Sequence, residues 1–324
     1  MPLNAIKGLV QKQFEAVNTL VLQSLQSQAN LVNDIGRHIV QSGGKRLRPL
    51  VLLLIGKAFD YRGEEDIRLA AVIEFIHTAT LLHDDVVDHA ELRRGQQTAN
   101  HVWGNEAAVL VGDFLYSRAI QMMVSCENPL LMQTVADAVN VMSEGELLQL
   151  LDRHNNDLTE GAYLNIIQSK TAKLFEAASV LGAILGNQTA STQVSMARYG
   201  MHLGTAFQLM DDVLDYKASM STLGKKPGND LLEGKVTLPL IHAIQQGSPK
   251  DVRQIKQILQ ATGPDQESFG VIQKLIEKTG SLAYTLTFAK SEAKRAIEAL
   301  KKLPPSVYTE GLKALAQFSV DRTH

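Results

Sequence analysis

The chain has 324 residues, 45% hydrophobic and 20% charged, with one cysteine and a formal net charge of −2 from 32 basic and 34 acidic side chains. That composition excludes a disordered, collagen-like or disulfide-stapled chain. A charge so balanced gives no global reason to bind nucleic acid or an anionic membrane. Cys126 has no partner for an internal disulfide, so a reducing compartment is expected, and the residue reads as a small buried hydrophobe.

Taken in chain order, residues 1–30 read as an N-terminal helical segment with no motif and no continuous apolar stretch of the signal-peptide kind. A cytoplasmic protein is therefore expected. The run Leu50–Ile55 is far shorter than the ~20 residues that cross a bilayer, so no transmembrane segment is expected. Gly43-Gly44-Lys45-Arg46-Leu47-Arg48-Pro49 is a turn entering a helix, with Lys45 and Arg48 on one face. Apolar residues at helical spacing predict helices over 50–59, 66–90, 105–125, 130–151, 160–186 and 195–217. Further stripes run through Val252, Ile255, Ile258 and Leu259, and through Ala289, Ala293, Ala296, Ile297 and Leu300, where Pro304-Pro305 stops the helix. The glycine- and lysine-containing break from Ser219 to Gly234 separates segments that both look packed. The expectation is one all-α domain over 1–324, a single large helical bundle, with 219–234 as an active-site loop.

The chain repeats itself. Residues 78–88 (TATLLHDDVVD) and 205–215 (TAFQLMDDVLD) match at seven of eleven positions. On a helix, Asp84 and Asp88 share a face, as do Asp211 and Asp215, with Asp85 and Asp212 flanking them. Like charges at this spacing repel, and aspartate is a poor helix former, so each cluster destabilises its helix unless cations neutralise it. Carboxylates without histidine or cysteine partners select hard ions, and Mg²⁺ in particular takes one or two carboxylates together with phosphates. His83 points about 100° from Asp84, has Met210 as its counterpart in the second copy, and reads as structural.

Cations stand on either side of both clusters. Arg93-Arg94 follow the first, Lys170-Thr171 interrupt an apolar helix, and Lys225, Lys226 and Lys235 follow the second. Arginine forks suit phosphate oxygens. Together these groups describe a site for diphosphates with Mg²⁺.

The combination GGKRLRP, LLHDDVVDHAELRRG, SKTAKLF, FQLMDDVLDY and LGKKPGNDLLEGKVTLPL resembles the trans-prenyl diphosphate synthases, and within them the bacterial long-chain members that make an eight-unit product. The resemblance runs from about residue 30 to the end. It implies the isoprenoid synthase fold with a central substrate cavity, a homodimer, and a prenyltransferase that condenses isopentenyl diphosphate head-to-tail onto an allylic diphosphate such as farnesyl diphosphate. It implies that Asp84, Asp88 and Asp211 hold two to three Mg²⁺ ions, with weaker parts for Asp85 and Asp215. With Asp212, Lys170 and Lys235 these form the catalytic set. Arg93, Lys170, Thr171, Gln208, Lys225 and Lys235 would grip the allylic diphosphate, and Lys45, Arg48, His77 and Arg94 would hold isopentenyl diphosphate.

One helical turn before Asp84 stand Ala79 and Thr80, both small, where short-chain family members carry bulky aromatics. A deep pocket is therefore expected, lined by residues such as Phe75, Ile76, Met122, Met123 and Met132, with Met123 a candidate for the stop. The expected product is the octaprenyl chain of quinones; geranylgeranyl or solanesyl products, a non-catalytic synthase subunit and a terpene cyclase are the rivals. A subunit of that kind usually loses one aspartate cluster or the basic loop, and a cyclase would not need Lys45, Arg48 and Arg94.

Overall fold

The computed structural model describes every residue except 42, 153, 154, 156, 218–227, 261–265, 323 and 324. The chain opens with α1 (Leu3–Gly8), α2 (Gln11–Ser24), α3 (Asn30–Gln41), α4 (Leu47–Ala58) and α5 (Glu65–Val87). A two-stranded hairpin follows, β1 (Leu92–Arg93) with β2 (Gln96–Gln97), then α6 (Ala99–Trp103), α7 (Asn105–Val124), α8 (Pro129–Leu151), α9 (Glu160–Ile167), a π-helical turn (Gln168–Ala172), α10 (Lys173–Leu185) and α11 (Ala190–Lys217). The remainder is α12 (Asn229–Leu232), α13 (Leu238–Gln246), α14 (Pro249–Gln260), α15 (Gln266–Lys278), α16 (Ser281–Ala299) and α17 (Val307–Asp321). The all-α expectation holds, and the long helices fall within a few residues of the periodic stretches.

Helix starts follow local chemistry. Asn128 accepts from Leu130 N with Pro129 at the first helical position of α8, Thr159 accepts from Ala162 N at α9, and Ser306 accepts from Thr309 N at α17. The helices that carry the core are apolar nearly all round. In α4, Leu50 through Ile55 are fully buried, and α5 buries Leu69 through Ile73, Phe75, Ile76, Ala79 and Leu82. This main core also takes Met196, Tyr199 and Leu203 from the first half of α11, while Ala206, Leu209 and Tyr216 from its second half join a separate cluster with α13–α15. α11 thus ties the two cores together, and its aspartates lie in the second half.

α7 is long and apolar enough to span a bilayer, yet it packs beside α5 with Ala108, Val111, Leu115, Ala119 and Met123 buried. Cys126 is half-buried, its Sγ donating to Met122 O at 3.4 Å, and burial pushes its thiol up to about 11. His83 is structural as expected: its Nε2 lies 3.2 Å from Val109 O, against Gly112.

Two local features lie outside the periodicity. α5 stops at Asp88, whose N–H bonds Asp84 O, and His89 turns left-handed (φ 51°). The chain then forms a hairpin whose two loop residues, Arg94 (φ 54°) and Gly95 (φ 78°), both occupy the left-handed region that a tight two-residue turn requires. The second feature is the π-helical turn, which splits the helix predicted over 160–186 at Lys170-Thr171.

Candidate active site

A cavity of about 820 Å³ opens where α5 and α11 bring the two repeat copies together. All six aspartates line it, as do Lys45, Arg48, His77, Arg93, Arg94, Lys170, Thr171, Gln208 and Lys235. Lys225 and most of the 219–234 loop lie outside the described residues. Thr80 lines the cavity. Ala79 and Met123 are buried in the main core and are absent from the cavity wall, Phe75 and Ile76 are buried beside them, and Met132 is 38% exposed.

Three of the outer aspartates, Asp84, Asp88 and Asp211, carry cations. Lys170 Nζ is 3.5 Å from Asp84 Oδ1 and 2.6 Å from Glu146 Oε2. Lys235 Nζ is 2.7 Å from Asp88 Oδ2 and 2.6 Å from Glu233 Oε2. Burial opposes the charge on Lys235, but Glu233, Asp88 and Asp230 more than offset it and raise its pKa. Arg322 Nη1 lies 2.7 Å from Asp211 Oδ1. Burial, and next the charge of Asp84, push Glu146 up to about 7.

The middle aspartates are anchors. Asp85 is buried and accepts from Arg93 Nε at 2.8 Å, with Nη2 at 2.7 Å. Asp212, equally buried, accepts from Tyr163 OH and from Gln208 Nε2 at 3.0 Å. Burial first, and then the charge of Asp230, push the Asp212 carboxyl up to about 8. Asp215 accepts from the N–H groups of Asn229 and Asp230, each at 3.2 Å, and so fixes the start of α12.

The π-helical turn explains why Lys170 and Thr171 reach the cavity from a helix that is otherwise apolar. A wider turn pushes one residue's worth of backbone outward, a device common at functional sites. Glycines on both neighbours make room. A Cβ on Gly145 of α8 would stand 2.9 Å from Lys170 N, and one on Gly204 of α11 would stand 2.5 Å from Ala172 Cα. Thr171 Oγ1 donates to Gln208 Oε1 at 3.1 Å, linking the turn to α11.

The second half of the cavity is basic. Gly43 is left-handed (φ 73°), and Arg46 (φ 47°) stands as the N-cap of α4, so the turn delivers Lys45 and Arg48 together. Gly44 leaves room for the hairpin: a Cβ there would lie 2.9 Å from Arg94 Nη1. Arg48 is sandwiched, its guanidinium 4.4 Å from the Phe175 ring centroid and its Nη1 3.2 Å from His77 Nε2. Burial lowers Arg48 to about 10, and burial with the charges of Arg48, Arg94 and Arg93 holds His77 well below 6.5. Lys45 and Arg94 are also lowered, by burial first and then by neighbouring arginines. Cations held below their ordinary values by burial first and by one another second are a site that a polyanion would stabilise.

Glu146, Glu233, Tyr163, Glu74 and Arg322 complete the wall and were not singled out in the sequence. Glu146 carried a signal, an acid inside the apolar stretch of α8. Arg322 lies beyond every motif and carried none.

The donor chemistry fits a hard divalent cation. Asp84 and Asp88 face the cavity one turn apart with Asp211 opposite, and all three offer oxygen alone. Among the described residues no three His, Cys, Asp or Glu side chains converge on one point.

Comparison with known proteins bears on this geometry. Residues 29–278 match the family model described as polyprenyl synthetase. The chain is 45% identical over 322 residues to octaprenyl diphosphate synthase of Escherichia coli (strain K12), covering 99% of each. It is 42% identical over 319 residues to an all-trans-nonaprenyl-diphosphate synthase (geranyl-diphosphate specific) of Rhodobacter capsulatus, covering 97% of this chain and 96% of that one. A solved polyprenyl synthase from Caulobacter crescentus CB15, complexed with calcium and isoprenyl diphosphate, superposes with a TM-score of 0.96 at 39% identity, covering 100% of this chain and 98% of the other.

Proposed function

The chain belongs to the polyprenyl synthetase family, and from that premise we propose that this prenyltransferase extends farnesyl diphosphate with isopentenyl diphosphate to the octaprenyl length used for quinone side chains. The observation that carries the reading is the meeting of two aspartate faces, on α5 and α11, with a separate basic pocket in one cavity. Two diphosphates need two grips, and these two groups of side chains would supply them.

Asp84, Asp88 and Asp211 would hold two to three Mg²⁺ ions, which, when bound, draw electron density from the leaving diphosphate. Arg93, Lys170, Thr171, Gln208, Lys225 and Lys235 grip that diphosphate. Lys45, Arg48, His77 and Arg94 hold isopentenyl diphosphate beside it. The allylic C–O bond breaks, the double-bond pair of isopentenyl diphosphate forms the new carbon–carbon bond to the cation, and a proton leaves to the departed diphosphate. The cationic and hydrogen-bonding groups are fixed before the charge develops, so little reorganisation is needed. Met142, Ile166, Ile167, Phe175 and Phe207 on the wall keep water from the cation and give the growing tail an apolar path.

The enzyme works, on this reading, as a cytoplasmic homodimer. Leu110, Ile120 and Val124 on α7 and Leu147, Leu150 and Leu151 on α8 are exposed, Leu151 by 79%, and a second copy would cover them. Incubating the protein with farnesyl diphosphate, isopentenyl diphosphate and Mg²⁺ and weighing the product tests the function. A C40 product, with diphosphate release that depends on isopentenyl diphosphate, is expected. A product ending at C15 or C20 would overturn the assigned length, and release without isopentenyl diphosphate would indicate a cyclase.

A further inference from the structure

Beneath the basic pocket lies a carboxylate that no motif marks. Glu74 is on α5, three residues before His77, its side chain 13% exposed. Its Oε1 is 3.4 Å from Arg46 Nε, while its Oε2 is buried without a hydrogen-bond partner. Its backbone carbonyl accepts from Thr78 Oγ1. Burial raises its carboxyl above the ordinary range, and the charges of Arg46, Arg48, Arg94 and Lys7 oppose that rise, converging from α4, the hairpin and α1. A buried, half-satisfied carboxylate is costly to keep, and it asks for a reason.

The surroundings supply one. The acidic groups whose charge reaches both Arg48 and Arg94 are Glu74 and Asp211. Asp211 belongs to the opposite wall, where it is assigned to metal. Glu74, which lines the same cavity as both arginines, carries no such assignment. Arg46 is held by Glu74 on one side and by Asn18, whose Oδ1 accepts from its Nη1, on the other, and it occupies a left-handed conformation at the entry of α4 (φ 47°) that is uncommon outside glycine.

We propose that Glu74 is a positioning residue for the pocket that takes the diphosphate of isopentenyl diphosphate: it anchors Arg46 at the mouth of α4 and gathers the guanidinium groups of Arg48 and Arg94 ahead of substrate. This rests on the assignment of Lys45, Arg48, His77 and Arg94 to isopentenyl diphosphate. Simple electrostatics predicts the opposite of positioning, because removing a negative charge from an anion site tightens it. The sign of the effect therefore decides.

The test is steady-state kinetics on Glu74→Gln in the full-length enzyme, with each substrate varied in turn. KM for isopentenyl diphosphate is expected to rise about tenfold, as for loss of one buried ion-pair partner beneath the pocket, with KM for farnesyl diphosphate unchanged within about twofold. Glu74→Asp, which keeps the charge on a shorter arm, should fall between, and it carries the test alone if the glutamine variant does not fold. A KM for isopentenyl diphosphate that stays the same or falls overturns the proposal. Arg94→Ala separates the two levels. If it raises that KM while Glu74→Gln does not, the role of Glu74 fails by itself; if neither does, the pocket assignment fails with it.

Discussion

Arg322 Nη1 stands 2.7 Å from Asp211 Oδ1, so the second cluster has a counter-charge supplied from the end of α17. The guanidinium is held firmly: Nη2 donates to Phe207 O at 2.6 Å, Nε donates to Ser319 O at 3.2 Å, and the Phe207 ring lies 3.8 Å beneath. A cation entering the site must displace this partner from a carboxylate that is 43% exposed. Such a pair is worth about 1 kcal/mol, roughly fivefold in affinity. Arg322→Ala should therefore bind Mg²⁺ about fivefold more tightly in calorimetric titration without substrate. Unchanged or weaker binding would refute the competition.

The same logic covers all three assigned metal ligands, because Lys170 and Lys235 sit on Asp84 and Asp88. Chelating divalent metal should abolish turnover yet leave the melting temperature within about 3 °C, since the carboxylates keep protein partners. Asp84→Ala and Asp211→Ala should each lose turnover with helical circular dichroism intact. Full activity in either variant would remove that aspartate from the metal set.

His77 gives a pH dependence of definite sign. Its Nε2 receives a hydrogen bond from Arg48, so the ring is neutral, and burial with the charges of Arg48, Arg94 and Arg93 depresses its pKa well below 6.5. The unfolded chain takes up a proton near pH 6.5 that the folded chain refuses. Stability is therefore full above that pH and is lost as pH falls below it, by up to about 1.4 kcal/mol per pH unit until the folded pKa is reached. His77→Gln should lose less melting temperature than the parent between pH 7 and pH 5. Parallel curves would show that His77 is not held neutral.

Product length should respond differently at the two small residues before Asp84. Thr80 faces the cavity, its Oγ1 bonded to His77 O at 2.8 Å, whereas Ala79 is fully buried in the core. Thr80→Phe should shorten the product while the first condensation proceeds. Ala79→Tyr should also shorten it, but by forcing a ring into packed helices, with a stability loss of about 1–3 kcal/mol. Mass analysis of products with thermal melts separates the two, and an unchanged product from Thr80→Phe would mean that the tail runs elsewhere.

What the sequence made legible is what repeats along one helix. The periodic stripes located α4, α5, α7, α8 and α11, and the duplicated aspartate motif named both faces of the cavity before any coordinates. Partners supplied from a distance were not legible. Tyr163 meets Asp212 from 49 positions away and Arg322 bonds Phe207 across 115, and no local pattern encodes such meetings. The hairpin escaped for another reason: its turn rests on Arg94 and Gly95 at positive φ, and arginine is not a residue that announces such a turn. The π-helical turn is invisible to apolar periodicity, because one widened turn adds no break between α9 and α10, and all its residues but Ala172 are half-buried.

That turn makes its own prediction. Gly145 and Gly204 flank it from α8 and α11, and in both cases an added methyl would meet backbone atoms of the turn at 2.9 Å or closer. Backbone cannot rotate aside as a long side chain can, so the turn itself must move, and Lys170 and Thr171 move with it. A displacement of about 1 Å in positioned groups can cost on the order of a hundredfold in rate. Gly204→Ala and Gly145→Ala should thus lower kcat by roughly one to two orders of magnitude, although neither glycine lines the cavity. Gly161, at the start of α9, has open space around its Cβ position and serves as the control: Gly161→Ala should retain activity. If all three variants turn over alike, the π-helical turn tolerates displacement and does not fix the allylic diphosphate grip.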